Sequence, residues 1–233
     1  MKRVLIVEDE TAIREFEAIN LKRAGYEAVE AGSGEEALDI YDNDLAGFEI
    51  ALIDVMMPGM DGFELVKELR KRSTSIGIIM LTAKSQEMDK ISGLMIGADD
   101  YVTKPFSPSE LIARVDSLYR RVSVAKSGQV NSNLLESGAF VLDLRRRTLS
   151  KNGKNIELTQ VEFQIMEYFF TNPDTAVSRR DILKKVWGDN YFGEEKIVDV
   201  NIRRLRIKIE EDPSDPKYII TVWGMGYKWN AGY

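Results

Sequence analysis

Short apolar runs punctuate the first half of the chain: Val4, Leu5, Ile6 and Val7; Ala51, Leu52 and Ile53; Ile78, Ile79, Met80 and Leu81; Tyr101, Val102 and Thr103. Runs this short and this continuously apolar predict strands buried on both faces, which is the habit of a parallel sheet. A further strand-like segment covers residues 27–31, and helical stretches separate the runs. Strand alternating with helix predicts a doubly wound, five-stranded parallel α/β domain.

The pattern changes in the second half. Residues 139–144 and 148–151 alternate apolar with polar and are broken at Asn152 and Gly153, a hairpin signal. Thr159 with Glu162 is a capping box ahead of Phe163, Ile165, Met166, Phe169 and Phe170, so a helix starts there and stops before Pro173. Ser178 caps a second helix, 179–187, ending at Gly188, and a third covers about 194–211 before Pro213. Residues 218–222 and 226–229 then form a ribbon around Trp223, Gly224 and Met225. Two helices, a long helix and a hairpin give the order of a winged helix-turn-helix α+β domain.

Charge divides the chain at the same place. Residues 1–121 hold 15 Lys and Arg against 23 Asp and Glu, whereas residues 122–233 hold 17 against 15. Residues 122–133 are polar and aperiodic, which predicts a flexible linker between domains 1–121 and 134–233. No apolar run approaches a membrane span, and Met1 and Lys2 lead straight into a strand, so a cytoplasmic location without membrane contact is expected. The absence of Cys and His excludes thiolate catalysis, zinc clusters, a Ser-His-Asp triad and any phosphohistidine within the chain.

Glu8 and Asp9, Asp54, Thr82 and Lys104 follow the buried runs directly. In an open parallel sheet the carboxyl ends of the strands gather at one edge, so these residues are expected in one pocket. Clustered carboxylates are held together by a hard divalent cation, a lysine adds fixed positive charge and a threonine adds a hydroxyl donor. Phosphoryl transfer needs this set, because it is catalysed by positioning and neutralising oxygens, and an aspartate can be the nucleophile.

Together with Lys104-Pro105-Phe106, the stretch from Asp54 through Met56, Met57 and Pro58 to Asp61-Gly62, and Gly97-Ala98-Asp99-Asp100-Tyr101, the first 121 residues resemble the receiver domain of two-component response regulators. The resemblance implies that Asp54 becomes an aspartyl phosphate, with a separate sensor histidine kinase as donor. It implies Mg2+ (or Mn2+) held by Asp9, Asp54 and the Met56 carbonyl, with Glu8 reaching the metal through water. Lys104 pairs with the phosphoryl group, Thr82 and Tyr101 report its arrival, and Lys104-Pro105 is cis. The receiver then assists its own phosphorylation and slow dephosphorylation without turning over an external substrate. By the same resemblance it dimerises through the helix before the fifth strand, that strand and the helix after it. Lys90 to Glu110 and Asp100 to Arg121 are the cross-subunit pairs, and Arg114 also matches.

On the third helix of the second half, Val198, Ile202, Leu205 and Ile209 form the core stripe. Lys196, Val200, Arg203 and Ile207 fall opposite, with Arg204 beside them, where arginines suit guanine or phosphate and aliphatics suit thymine methyls. The run from Val198 to Arg206 and the ribbon from Ile220 to Tyr227 resemble the effector domain of OmpR/PhoB-type regulators. That resemblance implies double-stranded DNA as a partner, RNA polymerase as a further one, and Asn201, Arg203, Arg204 and Arg206 as contacts. Lys208 is expected at the flank, on phosphate. Trp223 departs from the family pattern, which often has an arginine there.

Gly32-Ser33-Gly34-Glu35-Glu36-Ala37 fits a loose dinucleotide fingerprint, but two acids would face the pyrophosphate, and Ser33 with Glu36 reads as a capping box. A phosphohydrolase working through aspartyl phosphate commonly has a second acid two residues past the nucleophile, where this chain has Met56. A protein-binding adaptor would lack the steep salt dependence of DNA binding. The expected function is a transcriptional regulator in which phosphorylation of Asp54 favours a homodimer that binds tandem DNA half-sites.

Overall fold

A computed structural model describes residues 2–83, 94–124, 134–189, 191 and 193–232. The chain divides into two compact units, Met1–Ser123 and Val124–Tyr233.

In the first unit β1 (Arg3–Val7), β2 (Glu27–Ala31), β3 (Ile50–Asp54), β4 (Gly77–Ala83) and β5 (Asp100–Lys104) form one sheet in the order β2-β1-β3-β4-β5. All four pairings are parallel. Helices α1 (Thr11–Arg23), α2 (Gly34–Asn43), α3 (Gly62–Arg72) and α4 (Pro108–Val124) follow their strands. Val4, Ile6, Leu52, Ile79, Leu81 and Val102 meet Ala18 and Leu21 of α1 and Leu111, Val115 and Leu118 of α4 in one fully buried core. The order of connections reverses between β1 and β3, so a crevice opens at the carboxyl ends of these strands.

Side-chain caps start α2 and α3. Ser33 Oγ accepts from Glu36 N, and the Glu36 carboxylate accepts from Gly32 N at 2.6 Å, so the glycine-rich segment is a helix cap. Asp61 caps α3 by accepting from Glu64 N at 2.8 Å. At Gly62 any Cβ would run into the Asp54 carbonyl oxygen, so only glycine lets α3 start this close to β3. Asp99, fully buried, takes Ile78 N at 2.8 Å and the Arg70 guanidinium at 2.7 Å.

The second unit opens with an antiparallel sheet of β6 (Leu134–Ser137), β7 (Phe140–Asp143), β8 (Thr148–Lys151) and β9 (Lys154–Ile156). Three helices follow, α5 (Gln160–Thr171), α6 (Arg179–Trp187) and α7 (Lys196–Ile209). Strands β10 (Ala176–Ser178), β11 (Ile219–Val222) and β12 (Gly226–Trp229) make a second antiparallel sheet in the order β10-β12-β11. The capping boxes at Thr159 and Ser178 both form. Trp229 lies 5.3 Å from Phe140 and 5.0 Å from Phe170 between ring centroids, which joins the two sheets and α5 through aromatic contact.

Two boundaries differ from the sequence expectation. Residues 122–124 are the last turn of α4 and not linker, because Val122 is buried in line with Leu118 and Val115. The remainder of the expected linker, 125–133, lies outside the described residues. The third helix of the second unit is shorter at both ends, Lys196–Ile209.

Candidate functional site

Parallel register brings the polar strand ends together. Asp54 closes β3 opposite Leu81, and Lys104 closes β5 opposite Ala83. Lys104 Nζ lies 2.7 Å from Asp54 Oδ1 and 2.6 Å from Glu8 Oε2. Glu8 and Asp54 are buried, while Asp9 is more open to solvent. Asp54 Oδ2 accepts from Met56 N at 3.0 Å, which fixes the carboxylate plane against the start of the loop. Thr82 is buried one residue before the end of β4, and the Tyr101 side chain is buried on β5. Lys104-Pro105 is cis.

Burial raises the pKa of Glu8, and Lys104 only partly counters it. Burial opposes the Lys104 ammonium, yet its hydrogen bonds to Asp54 and Glu8 outweigh that and hold it protonated. Carboxylate oxygens of Glu8, Asp9 and Asp54 lie within 4.8 Å of one another. Three acids facing one ammonium leave excess negative charge, and their hard oxygen donors suit Mg2+ or Mn2+, so the residues fit the divalent ion that receiver domains bind.

Two features of the pocket were missed from sequence. Glu17, on α1, is fully buried, and neither carboxylate oxygen has a hydrogen-bond partner among the described residues. Burial first, then the nearby charge of Glu8, pushes its pKa up to about 8. Its spacing was a usable signal, since Glu17 stands midway between Ile13 and Leu21 on a helix face directed at the sheet. Glu35 is the second: its Oε1 accepts from Met60 N at 3.0 Å and ties α2 to the loop that carries Met56.

Of the expected subunit-contact residues, Lys90 lies outside the described residues, and Arg121 is described only as part of α4. Asp100 and Arg114, expected at a subunit surface, are buried and pair within the chain, 3.2 Å apart. Glu110 also pairs with Arg114, at 3.0 Å, one helical turn away. Charge on these residues is thus first satisfied internally, because a buried carboxylate without a partner is costly.

In the second unit α7 presents Lys196, Arg203 and Ile207 to solvent, and Arg203 makes no ion pair or hydrogen bond among the described residues. The stripe Val198, Ile202, Leu205 and Ile209 is buried as its period requires. Several expected DNA contacts are placed otherwise. Asn201 is fully buried, and its side-chain amide donates to the Ile197 carbonyl at 2.8 Å. Arg204 is buried with Nη2 2.9 Å from Glu162 Oε1. Val200 is also buried. Arg206 donates to the Ile219 carbonyl at 2.7 Å and to Thr221 Oγ1 at 2.9 Å. Lys208 Nζ lies 2.6 Å from Glu162 Oε2. The reason is that α7 packs on two sides, against α5 and against the ribbon, so its exposed face is narrower than a single core stripe predicts. Trp223 at the ribbon tip is exposed.

Comparison with known proteins finds one family match in each unit. The family described as response regulator receiver domain matches residues 4–116, and that described as transcriptional regulatory protein, C terminal, matches residues 153–229. The chain is 43% identical over 228 residues to the sensory transduction protein RegX3 of Mycolicibacterium smegmatis, covering 98% of this chain and 99% of that one. It is 44% identical to RegX3 of Mycobacterium tuberculosis over the same shares. Among solved structures it is similar to the response regulator DrrB, a Thermotoga maritima OmpR/PhoB homologue, with 32% identity, a TM-score of 0.51 and 99% of each chain covered. A RitR mutant covers 100% of both chains with a TM-score of 0.78 at 24% identity, a likeness of fold.

Proposed function

This chain belongs to the two-component response regulators with a receiver and an OmpR/PhoB-type DNA-binding domain, and we propose that phosphorylation of Asp54 by a sensor histidine kinase switches its binding to DNA. The family is one of transcriptional regulators and not of enzymes that turn over an external substrate. The single observation that carries the finer reading is the convergence of Glu8, Asp9, Asp54 and Lys104 at one sheet edge, with the lysine bonded to both buried acids.

The chemistry follows from those contacts. A carboxylate oxygen of Asp54 attacks the phosphorus of a phosphohistidine, the P–N bond breaks and the imidazole leaves. Lys104, already 2.7 Å from Asp54, neutralises oxygens that gain charge. Asp9, Asp54 and the Met56 carbonyl would hold the divalent ion, with Glu8 behind them through water, and the ion would supply charge neutralisation for the phosphoryl oxygens. Met56 N holds Asp54 Oδ2 and Lys104 holds Oδ1, so both carboxylate oxygens are oriented before a phosphoryl group arrives.

The receiver's response is proposed to favour a homodimer, through Thr82 and Tyr101. Two tethered effector units on tandem half-sites then bind more tightly, because the second contact becomes intramolecular. Lys196 and Arg203 are the proposed base or phosphate contacts, with Ile207 beside them, and Trp223 is the proposed contact from the ribbon. The cytoplasm is the proposed location, with the sensor kinase, duplex DNA and RNA polymerase as partners; no described helix is long and apolar enough to cross a membrane.

The test is acid-labile labelling from a phosphohistidine kinase or small phosphodonor. The native chain should take up label only with Mg2+ or Mn2+, and Asp54→Ala should take up none. Stoichiometric label on Asp54→Ala would overturn the assignment.

A further inference from the structure

Arg14, early in α1, stands beside the acidic pocket yet makes no ion pair among the described residues. Its Nη1 donates instead to the Glu8 carbonyl at 2.5 Å and reaches the Asp9 carbonyl at 3.4 Å. Nη2 turns back to Thr11 Oγ1 at 3.4 Å, which orients the guanidinium plane. β1 ends at Val7, and the hydrogen bonds of α1 begin at the Glu10 carbonyl, which accepts from Ile13 N and Arg14 N at 3.0 Å each. The Glu8 and Asp9 carbonyls fall between strand and helix, and the guanidinium takes the place of a backbone partner. These carbonyls belong to the peptide planes on either side of the Asp9 Cα. A residue has only two soft dihedrals, so holding both planes fixes the direction in which Asp9 projects its carboxylate.

The loop between β3 and α3 is held in a similar way from α2. Met56 N is fixed on Asp54 at the near end, and Gly62 N donates to the Val55 carbonyl at 3.1 Å at the far end. Between them Met60 N donates to Glu35 Oε1 at 3.0 Å. Gly59, at φ +78, passes so close that a Cβ there would come 3.0 Å from the same oxygen.

We propose that Arg14 and Glu35 are positioning residues that hold the two ligand-bearing loops in one rigid arrangement, and that this rigidity makes the pocket prefer Mg2+ to Ca2+. The inference rests on the proposed divalent site of Glu8, Asp9, Asp54 and the Met56 carbonyl. Mg2+ is small and demands near-ideal octahedral oxygens, whereas Ca2+ accepts irregular and more numerous ones, so a loosened loop costs the smaller ion more. Charge works in the opposite direction for Arg14. A guanidinium near a cation site repels the cation, so an arginine acting through charge alone would raise affinity for both ions when removed. The two roles therefore differ in sign.

The experiment uses the full, unphosphorylated chain. Bound Mn2+ is separated from free Mn2+ by electron paramagnetic resonance, and affinities for Mg2+ and Ca2+ follow from the Mn2+ each displaces. Arg14→Ala should bind Mg2+ about tenfold more weakly, as expected when a group that orients metal ligands is lost, while Ca2+ affinity falls far less. Arg14→Lys keeps the charge without the planar fork that spans two carbonyls, so it should resemble Arg14→Ala. Glu35→Ala should shift the preference in the same direction, and Glu35→Gln, which keeps an acceptor oxygen, should restore it. A rise in both affinities in Arg14→Ala would overturn the proposal and leave Arg14 a surface charge. Equal losses for the two ions would overturn it too, since the pocket would then be damaged without selectivity. Unfolding curves identify any variant that does not fold, and Arg14→Lys with the Glu35 pair then carries the comparison. A native chain that takes up none of these ions ends the divalent site and the braces together; a native preference for Mg2+ that survives in both alanine variants ends the braces alone.

Discussion

Inside the second unit, Arg204 Nη2 lies 2.9 Å from Glu162 Oε1, and both side chains are buried. Glu162 is also the acid of the Thr159 capping box and the partner of Lys208, so one carboxylate serves a helix start and two cations of α7. Burial pushes its pKa up, but Arg204 and Lys208 prevail and hold it below the usual range. Removing one partner leaves the other charged and dry. Glu162→Gln should therefore cost about 3–5 kcal/mol of effector-domain stability, measured by denaturant unfolding. Lys208→Ala should cost less, since that side chain is partly solvated. Equal stabilities for Glu162→Gln and the native chain would sink this account.

The same ion pair shows why the sequence misplaced part of α7. Core period alone identified Val198, Ile202, Leu205 and Ile209 correctly. It said nothing of the second packing side, where Arg204 goes inward to Glu162 and donates to the buried Asn201 Oδ1 at 3.3 Å. A buried acid in a capping box demands a cation, and that signal was present but unread. In the first unit the pocket was legible, because four buried runs each ended in a polar residue and parallel register did the rest. Strands β6, β9 and β10 were not, since three or four half-buried residues are too few to display a period of two.

Glu17 should make receiver stability depend on pH. Its folded value, about 8, exceeds the ordinary 4.5, so the folded state keeps a proton that the unfolded chain releases. Stability from this group is fully present below about 4.5, falls as pH rises and levels off above about 8. Glu17→Leu should stabilise the receiver by about 2 kcal/mol or more at neutral pH, with the gain smaller at pH ~5 and larger at pH ~8. Denaturant unfolding at these pH values checks it, and a gap between the two proteins that does not change with pH would count against the buried acid.

Met56 should set the lifetime of the aspartyl phosphate. Its backbone N–H holds Asp54, but its side chain is exposed beside the pocket and offers only a thioether, a weak acceptor. Replacement by Asn supplies a donor and an acceptor able to orient water. Loss of label from Met56→Asn should be severalfold faster than from the native chain; an equal or slower loss would show that water is limited elsewhere.

Arg203, Arg206 and Lys208 stand close together on α7, and the structure separates what each can do. Arg206 is spent on the Ile219 carbonyl and Thr221, and Lys208 on Glu162, whereas Arg203 extends into solvent without such contacts. Arg203→Ala should cost about 1–3 kcal/mol at the selected site and relax preference at one base pair, with little effect on unfolding. Lys208→Ala should instead act mainly through stability, so its loss of DNA binding should track its unfolding midpoint. Arg206→Ala should loosen the ribbon and weaken specific and nonspecific duplexes together, because the helix and its wing would no longer be held in one geometry. Binding to selected and scrambled duplexes, set beside unfolding curves for the same three variants, distinguishes these outcomes. Should Arg203→Ala weaken every sequence equally, Arg203 touches phosphate, and Lys196 becomes the next side chain to examine for base reading.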